Sequence, residues 1–139
     1  MHDDCAFCRI AAGEESAAIV YEDDRVLAFL DREPATTGHT LVVPKQHEPA
    51  LFELDDRTTT AVFRATKRVK TAIDGLLDPI GVSVFYTTGS IVGTVEHAHV
   101  HLIPRFEDDD VTIALSRDRL EEAAGDRLAS QVREALSVS

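Results

Sequence analysis

Apolar positions along this chain follow two periods. Short stretches alternate or run apolar between turn residues, as strands do. Two longer stretches repeat every three or four residues, as helices do. Residues 5–12 predict a short helix ending at Gly13. Residues 17–21 and 25–30 predict two strands, joined by the acidic turn Glu22-Asp23-Asp24 into a hairpin. Residues 39–44 predict a third strand, stopped by Pro44. Val62, Ala65, Val69, Ala72 and Leu76 mark the buried face of a helix that opens at Asp55-Asp56 and ends at Asp78-Pro79. A fourth strand is predicted over residues 82–87 and a fifth over 95–103. Residues 116–136 predict a second main helix, with Leu120, Ala124, Leu128, Val132 and Leu136 as its stripe and Gly125 as a weak point. Five strands without long crossovers, and helices set apart from them, imply an α+β fold. The expected architecture is a five-stranded, mostly antiparallel sheet in one domain spanning residues 1–139.

The fifth strand changes the picture from fold to chemistry. It reads His97-Ala98-His99-Val100-His101-Leu102-Ile103. Successive strand side chains point to opposite faces, so the three histidines are expected on one face. Packing gains nothing from a row of imidazoles, whose ring nitrogens need partners when buried. The chain has six histidines in all. Half of them on one strand face imply metal ligation, nucleophilic catalysis or proton transfer.

Composition narrows the partners. The net charge is -11, from 25 acidic and 14 basic residues, with lysine only at positions 45, 67 and 70. Such a body repels duplex nucleic acid and anionic membrane, yet leaves room for a small phosphorylated ligand held by a local field. Surface acid with little lysine also suits a protein working in high salt, as in a halophile. No apolar run approaches the roughly 20 residues of a membrane span. The first residues lack the basic and apolar regions of a secretory signal, so a cytoplasmic location is expected. Two cysteines, Cys5 and Cys8, are spaced C-x-x-C. A structural disulfide does not suit that location, and a redox pair would follow a strand, which is lacking here. Metal ligation fits better, with histidine supplying the remaining ligands.

The histidine strand resembles the signature of the histidine triad (HIT) superfamily, in which three histidines alternate with apolar residues. Further stretches resemble its Hint-like branch. They are Cys5-Ala6-Phe7-Cys8-Arg9-Ile10 with Gly13-Glu14, Val20-Tyr21-Glu22-Asp23-Asp24, Ala28-Phe29-Leu30-Asp31, and Gly38-His39-Thr40-Leu41-Val42-Val43-Pro44-Lys45 followed by His47. The resemblance covers residues 5–105. It implies nucleotide binding, cleavage at an α-phosphate, and a homodimer whose sheets adjoin. It also assigns roles: His99 as nucleophile, giving a nucleotidyl-histidine intermediate; His101 on the phosphate or leaving group; His39 as a support for that network. Asp31 would hold the ribose hydroxyls of a purine nucleotide. Phe7, Ile10, Phe29 and Leu30 would line the base pocket, and Gly93 and Thr94 would bind phosphate. Cys5, Cys8, His47 and His97 would form a closed, structural zinc site.

Around Gly93 the chain departs from the family pattern. Residues 87–94 read Thr-Thr-Gly-Ser-Ile-Val-Gly-Thr, without the family's asparagine and glutamine. Phosphate-side hydrogen bonds and the leaving group are therefore open. The expected activity is that of a nucleoside phosphoramidase. The alternatives are a dinucleoside polyphosphate hydrolase, a nucleotide-binding regulator with little catalysis, and a metallohydrolase using His97, His99 and His101 as ligands.

Overall fold

In a computed structural model of the chain, residues 4–88 and 96–138 are described. The elements run α1 (Ala6–Ala11), β1 (Ile19–Glu22), β2 (Val26–Leu30), β3 (Thr40–Pro44), a 3-10 turn (Leu51–Glu53), α2 (Asp56–Leu77), β4 (Gly81–Phe85), β5 (Val100–Arg105) and α3 (Glu122–Ser137). The five strands form one sheet in the order β1-β2-β3-β5-β4, and each neighbouring pair is antiparallel. The α+β architecture expected from the sequence is the one observed.

Strand alternation gives the sheet two buried faces. Val26, Ala28, Val42, Val100 and Leu102 point to one face and pack under α2 through Val62, Ala65 and Val69. Leu27, Phe29, Leu41 and Val43 point to the other, where α1 covers them with Phe7, Cys8 and Ile10. Asp55 caps α2 by accepting the Thr58 N–H, and Asp78, in the left-handed region, ends it. Asp23 fixes the first hairpin by accepting the N–H groups of both Arg25 and Val26.

Three expectations need correction. The histidine strand starts at Val100, so His97 and His99 precede β5 and do not share its pleat. The Ala98 N–H bonds to the Glu48 carbonyl instead of entering the ladder. β3 ends at Pro44, opposite Val26, as the sequence predicts. The stripe of α2 leaves the core at its C-terminal end: Ala72 and Leu76 are exposed, while Thr58 and Thr66 are buried. The last helix starts at Glu122, so Leu120 lies outside it, and none of its residues is buried. Its stripe, Leu128, Val132 and Leu136, faces outward from the protomer.

Candidate functional site

α1 begins where Cys5 caps it, the thiol sulfur accepting the Cys8 N–H at 3.4 Å. That turn brings both sulfurs to one spot. The Cys5 Sγ lies 3.4 Å from His97 Nδ1, and the Cys8 Sγ lies 3.6 Å from the same nitrogen. The Cys8 Sγ is also 3.2 Å from His47 Nδ1. All four donor atoms fall within 4.8 Å of one another. Zn–S and Zn–N bond lengths in a tetrahedron imply donor separations of roughly 3.3–3.8 Å. The donor set therefore fits a metal ion of that size. The tautomer fits as well. His97 Nε2–H donates to the Pro44 carbonyl at 2.7 Å, which leaves the Nδ1 lone pair facing the sulfurs. Both thiols are free of disulfide and buried.

The three signature histidines thus divide. His97 is 1% exposed and turns to the cysteines, its ring edge-on to His47 and Phe7. His99 and His101 meet each other instead, ring centroids 5.0 Å apart. His99 Nδ1–H donates to the His97 carbonyl at 2.8 Å. A neutral His99 therefore carries its lone pair on Nε2, and nothing among the described residues bonds that nitrogen. Phe7 lies edge-on to His99, with ring centroids 5.2 Å apart.

His101 sits on β5, between Leu41 of β3 and Phe85 of β4. Its Nδ1 is 3.0 Å from His39 Nε2. The Ala35 N–H donates to His39 Nδ1 at 3.0 Å, so that nitrogen is an acceptor and His39 Nε2 carries the proton. His39 therefore donates to His101 Nδ1, and neutral His101 presents its own proton on Nε2. Burial lowers the His39 pKa, although Asp31 opposes the shift. Burial, then the neighbouring His99 and His39, lowers that of His101 to about 4. Both rings are neutral near pH 7. Asp31, His39 and His101 have donor atoms close enough for a metal. The tautomers argue against it, because the His39 nitrogen facing the cluster bears the proton. Asp31 Oδ2 lies 3.5 Å from that nitrogen, and Oδ1 accepts the Glu33 N–H.

The other candidates are dispersed. Phe7, Ile10 and Phe29 are buried between α1 and the sheet, on the histidine side. Leu30 alternates to the opposite face and lines a groove of about 530 Å³ with Ile73 and Leu77 of α2. It is not beside the histidines. Gly93 and Thr94 lie outside the described residues. Sequence reasoning passed over Phe85, whose ring stacks on His101 with centroids 4.5 Å apart and planes at 13°. Its register directly opposite His101 gives it that place, and the sequence offered no signal for that register.

Comparison with known proteins agrees with this arrangement. The HIT domain family matches residues 12–108. Adenylylsulfatase HINT3 of Arabidopsis thaliana is 34% identical over 110 residues, 78% of this chain and 56% of that protein. A HIT family protein from Bacillus anthracis superposes with a TM-score of 0.88 at 34% identity, covering 97% of this chain and 99% of that one. A zinc-bound histidine triad family protein from Mycobacterium smegmatis superposes with a TM-score of 0.72 at 31% identity, covering 98% of both chains. No helix among the described residues is long and apolar enough to cross a membrane. This chain belongs to the HIT family, in its Hint-like branch.

Proposed function

We propose that the chain is a nucleoside phosphoramidase. It cleaves purine nucleotide conjugates at the α-phosphate through a nucleotidyl-histidine intermediate. One observation carries the reading: the His99 Nδ1–H bond to the His97 carbonyl, which commits Nε2 to a free lone pair. Attack of Nε2 on the α-phosphorus forms an N–P bond and breaks the bond to the leaving group. Water then attacks phosphorus, the N–P bond breaks, and a nucleoside monophosphate leaves. One water is consumed overall, and the leaving group departs with one of its protons.

The remaining roles belong to the same proposal. His101 Nε2–H donates to a phosphate or leaving-group oxygen or nitrogen, and His39 fixes that tautomer from behind. Asp31, beside His39, accepts from the ribose hydroxyls. Phe7, Ile10 and Phe29 supply the apolar floor beneath the base. Gly93 and Thr94, just ahead of Glu96 in the chain, contribute phosphate contacts. Cys5, Cys8, His47 and His97 hold a structural zinc ion. When bound, the ion ties α1 to the β3 end and to the segment entering β5, without entering the reaction. With all four protein donors assigned to it, His97 is not part of a catalytic metal centre.

The exposed stripe of α3 and the edge strand β4 suit a homodimer. The charge of -11 suits work in a salt-rich cytoplasm, away from nucleic acid. The test is turnover of an adenosine phosphoramidate at high salt, wild type against His99→Gly, with and without chelator. Cleavage that is lost in the variant and survives chelation supports the proposal. Cleavage abolished by chelator while the fold persists contradicts it in favour of a metallohydrolase.

A further inference from the structure

His101 is held on three sides. His39 bonds its Nδ1, His99 lies edge-on at 5.0 Å, and Phe85 covers one flat face at 4.5 Å. The first two are polar and belong to the histidine network. Phe85 comes from elsewhere: it ends the edge strand β4 and lies opposite His101 in the β4–β5 register. Cross-strand neighbours of this kind are the closest side-chain pairs a sheet offers. Near-parallel stacking at 13° leaves the imidazole little freedom to rotate about its Cβ–Cγ bond. The ring also keeps water from that face. Phe85 is 40% exposed, so it adds little to the core. Within the protomer its main contact is with a proposed reacting group.

We propose that Phe85 is a positioning residue for His101: by stacking on the imidazole it holds Nε2–H directed at the substrate phosphate and excludes water from the ring. This rests on the phosphoramidase reading for its catalytic consequence, though not for its structural one. Stacking acts on the orientation and solvation of His101 and touches no substrate. Its effect belongs in kcat more than in KM, because phosphate charge and geometry change most in the transition state. The groups facing His101 are Asp31, His39, His99 and Phe85. Of these, Phe85 alone carries no charge in any state. Its removal changes hydration and leaves the local charges in place. The pKa of His101, depressed first by burial, then has water on one more face to relieve it.

The experiment compares wild type, Phe85→Leu and Phe85→Tyr. Imidazole carbon and nitrogen resonances give the tautomer and titration of His101, and steady-state kinetics are run on an adenosine phosphoramidate. Leucine keeps an apolar side chain on the strand and removes the flat ring; tyrosine keeps the ring. The expected result for Phe85→Leu is a His101 pKa raised by about one unit, a kcat lowered about tenfold, and a KM within about twofold. Phe85→Tyr retains wild-type values for all three. The proposal is overturned if Phe85→Leu folds and leaves the titration and tautomer of His101 unchanged, or if Phe85→Tyr behaves like Phe85→Leu. The resonances report on Phe85 even if the wild type fails to turn over phosphoramidate. That failure would count against the phosphoramidase reading and leave the positioning claim to be decided by the spectra.

Discussion

His39 Nε2 stands 3.0 Å from His101 Nδ1, and the Ala35 N–H on the opposite nitrogen of His39 decides which ring donates. The chain of donors runs from backbone to His39 to His101 and leaves the His101 proton on Nε2. His99 ends the other way, its proton spent on the His97 carbonyl and its lone pair left on Nε2. One ring offers a donor and its neighbour an acceptor. Two adjacent imidazoles thus take different chemical parts through their tautomers, and His101 does so in its neutral form.

That neutrality has a measurable pH signature. The folded-state pKa of His101 is lowered to about 4 from 6.5, and His39 shifts in the same direction. Between those values the unfolded chain binds more protons than the native one, so stability falls as pH falls from about 6.5 toward 4. His101 contributes a loss on the order of 2–3 kcal/mol at most, before screening by solvent. Urea midpoints across this range should drop for wild type and drop less for His101→Gln. Equal slopes for the two proteins would show that His101 is not the titrating group. The depressed carboxylates Asp23, Asp55 and Asp109 lose their contribution at lower pH, below the ordinary carboxylate range, and so separate from it.

Removing two metal ligands separates structure from catalysis. The double variant Cys5→Ser, Cys8→Ser should contain no stoichiometric zinc by elemental analysis. Its melting temperature should fall by roughly 10 °C, equivalent to about 3 kcal/mol for a chain this size. kcat of the protein still folded should change much less. Zinc retained at one equivalent in this variant would remove the proposed site.

Gly38 positions His39 through a backbone that other residues resist. Its φ is +92°, and an added Cβ would lie 2.9 Å from Leu77 Cδ1 and 3.2 Å from Pro104 Cγ. Gly38→Ala should cost about 2–4 kcal/mol, combining a strained backbone with overpacking. Activity should fall further than folding explains, because the turn from Thr36 to His39 sets the His39 ring. Chemical denaturation and kinetics on the folded fraction check both parts. Wild-type stability in Gly38→Ala would contradict the packing argument.

The uncovered α3 is expected to be buried by a second copy. Analytical ultracentrifugation should find wild type as a dimer and a Leu128→Asp, Val132→Asp double variant shifted toward monomer. A wild type that is monomeric at micromolar concentration would leave the α3 stripe unexplained.

Much of this was legible in the residues, and the misses have physical causes. Strands showed through because β2 and β3 are buried on both faces, giving the apolar runs Val26–Leu30 and Leu41-Val42-Val43. The four metal donors were legible by resemblance, and the geometry brings them together. The histidine row misled in one respect. Alternation assumed a strand through His97, yet side-chain and backbone bonds at Ala98 and His99 hold that segment off the ladder. Leu30 looked like pocket because it neighbours Phe29, and period two sends it to the other face. The stripes of α2 and α3 showed amphipathic helices correctly, but periodicity does not say whether the cover is in the same chain. Phe85 looked like any apolar strand residue; its meaning comes from register opposite His101, which sequence alone leaves open.

The central claim is that His99 Nε2 becomes covalently bonded to phosphorus. The most direct measurement is rapid acid-free quenching of a single turnover with an adenosine phosphoramidate, followed by mass spectrometry of the digested chain. The account predicts a transient adenylyl group on the peptide bearing His99, formed and lost at rates compatible with kcat and missing in His99→Gly. Turnover at the normal rate with no adduct, or an adduct on another residue, would contradict it.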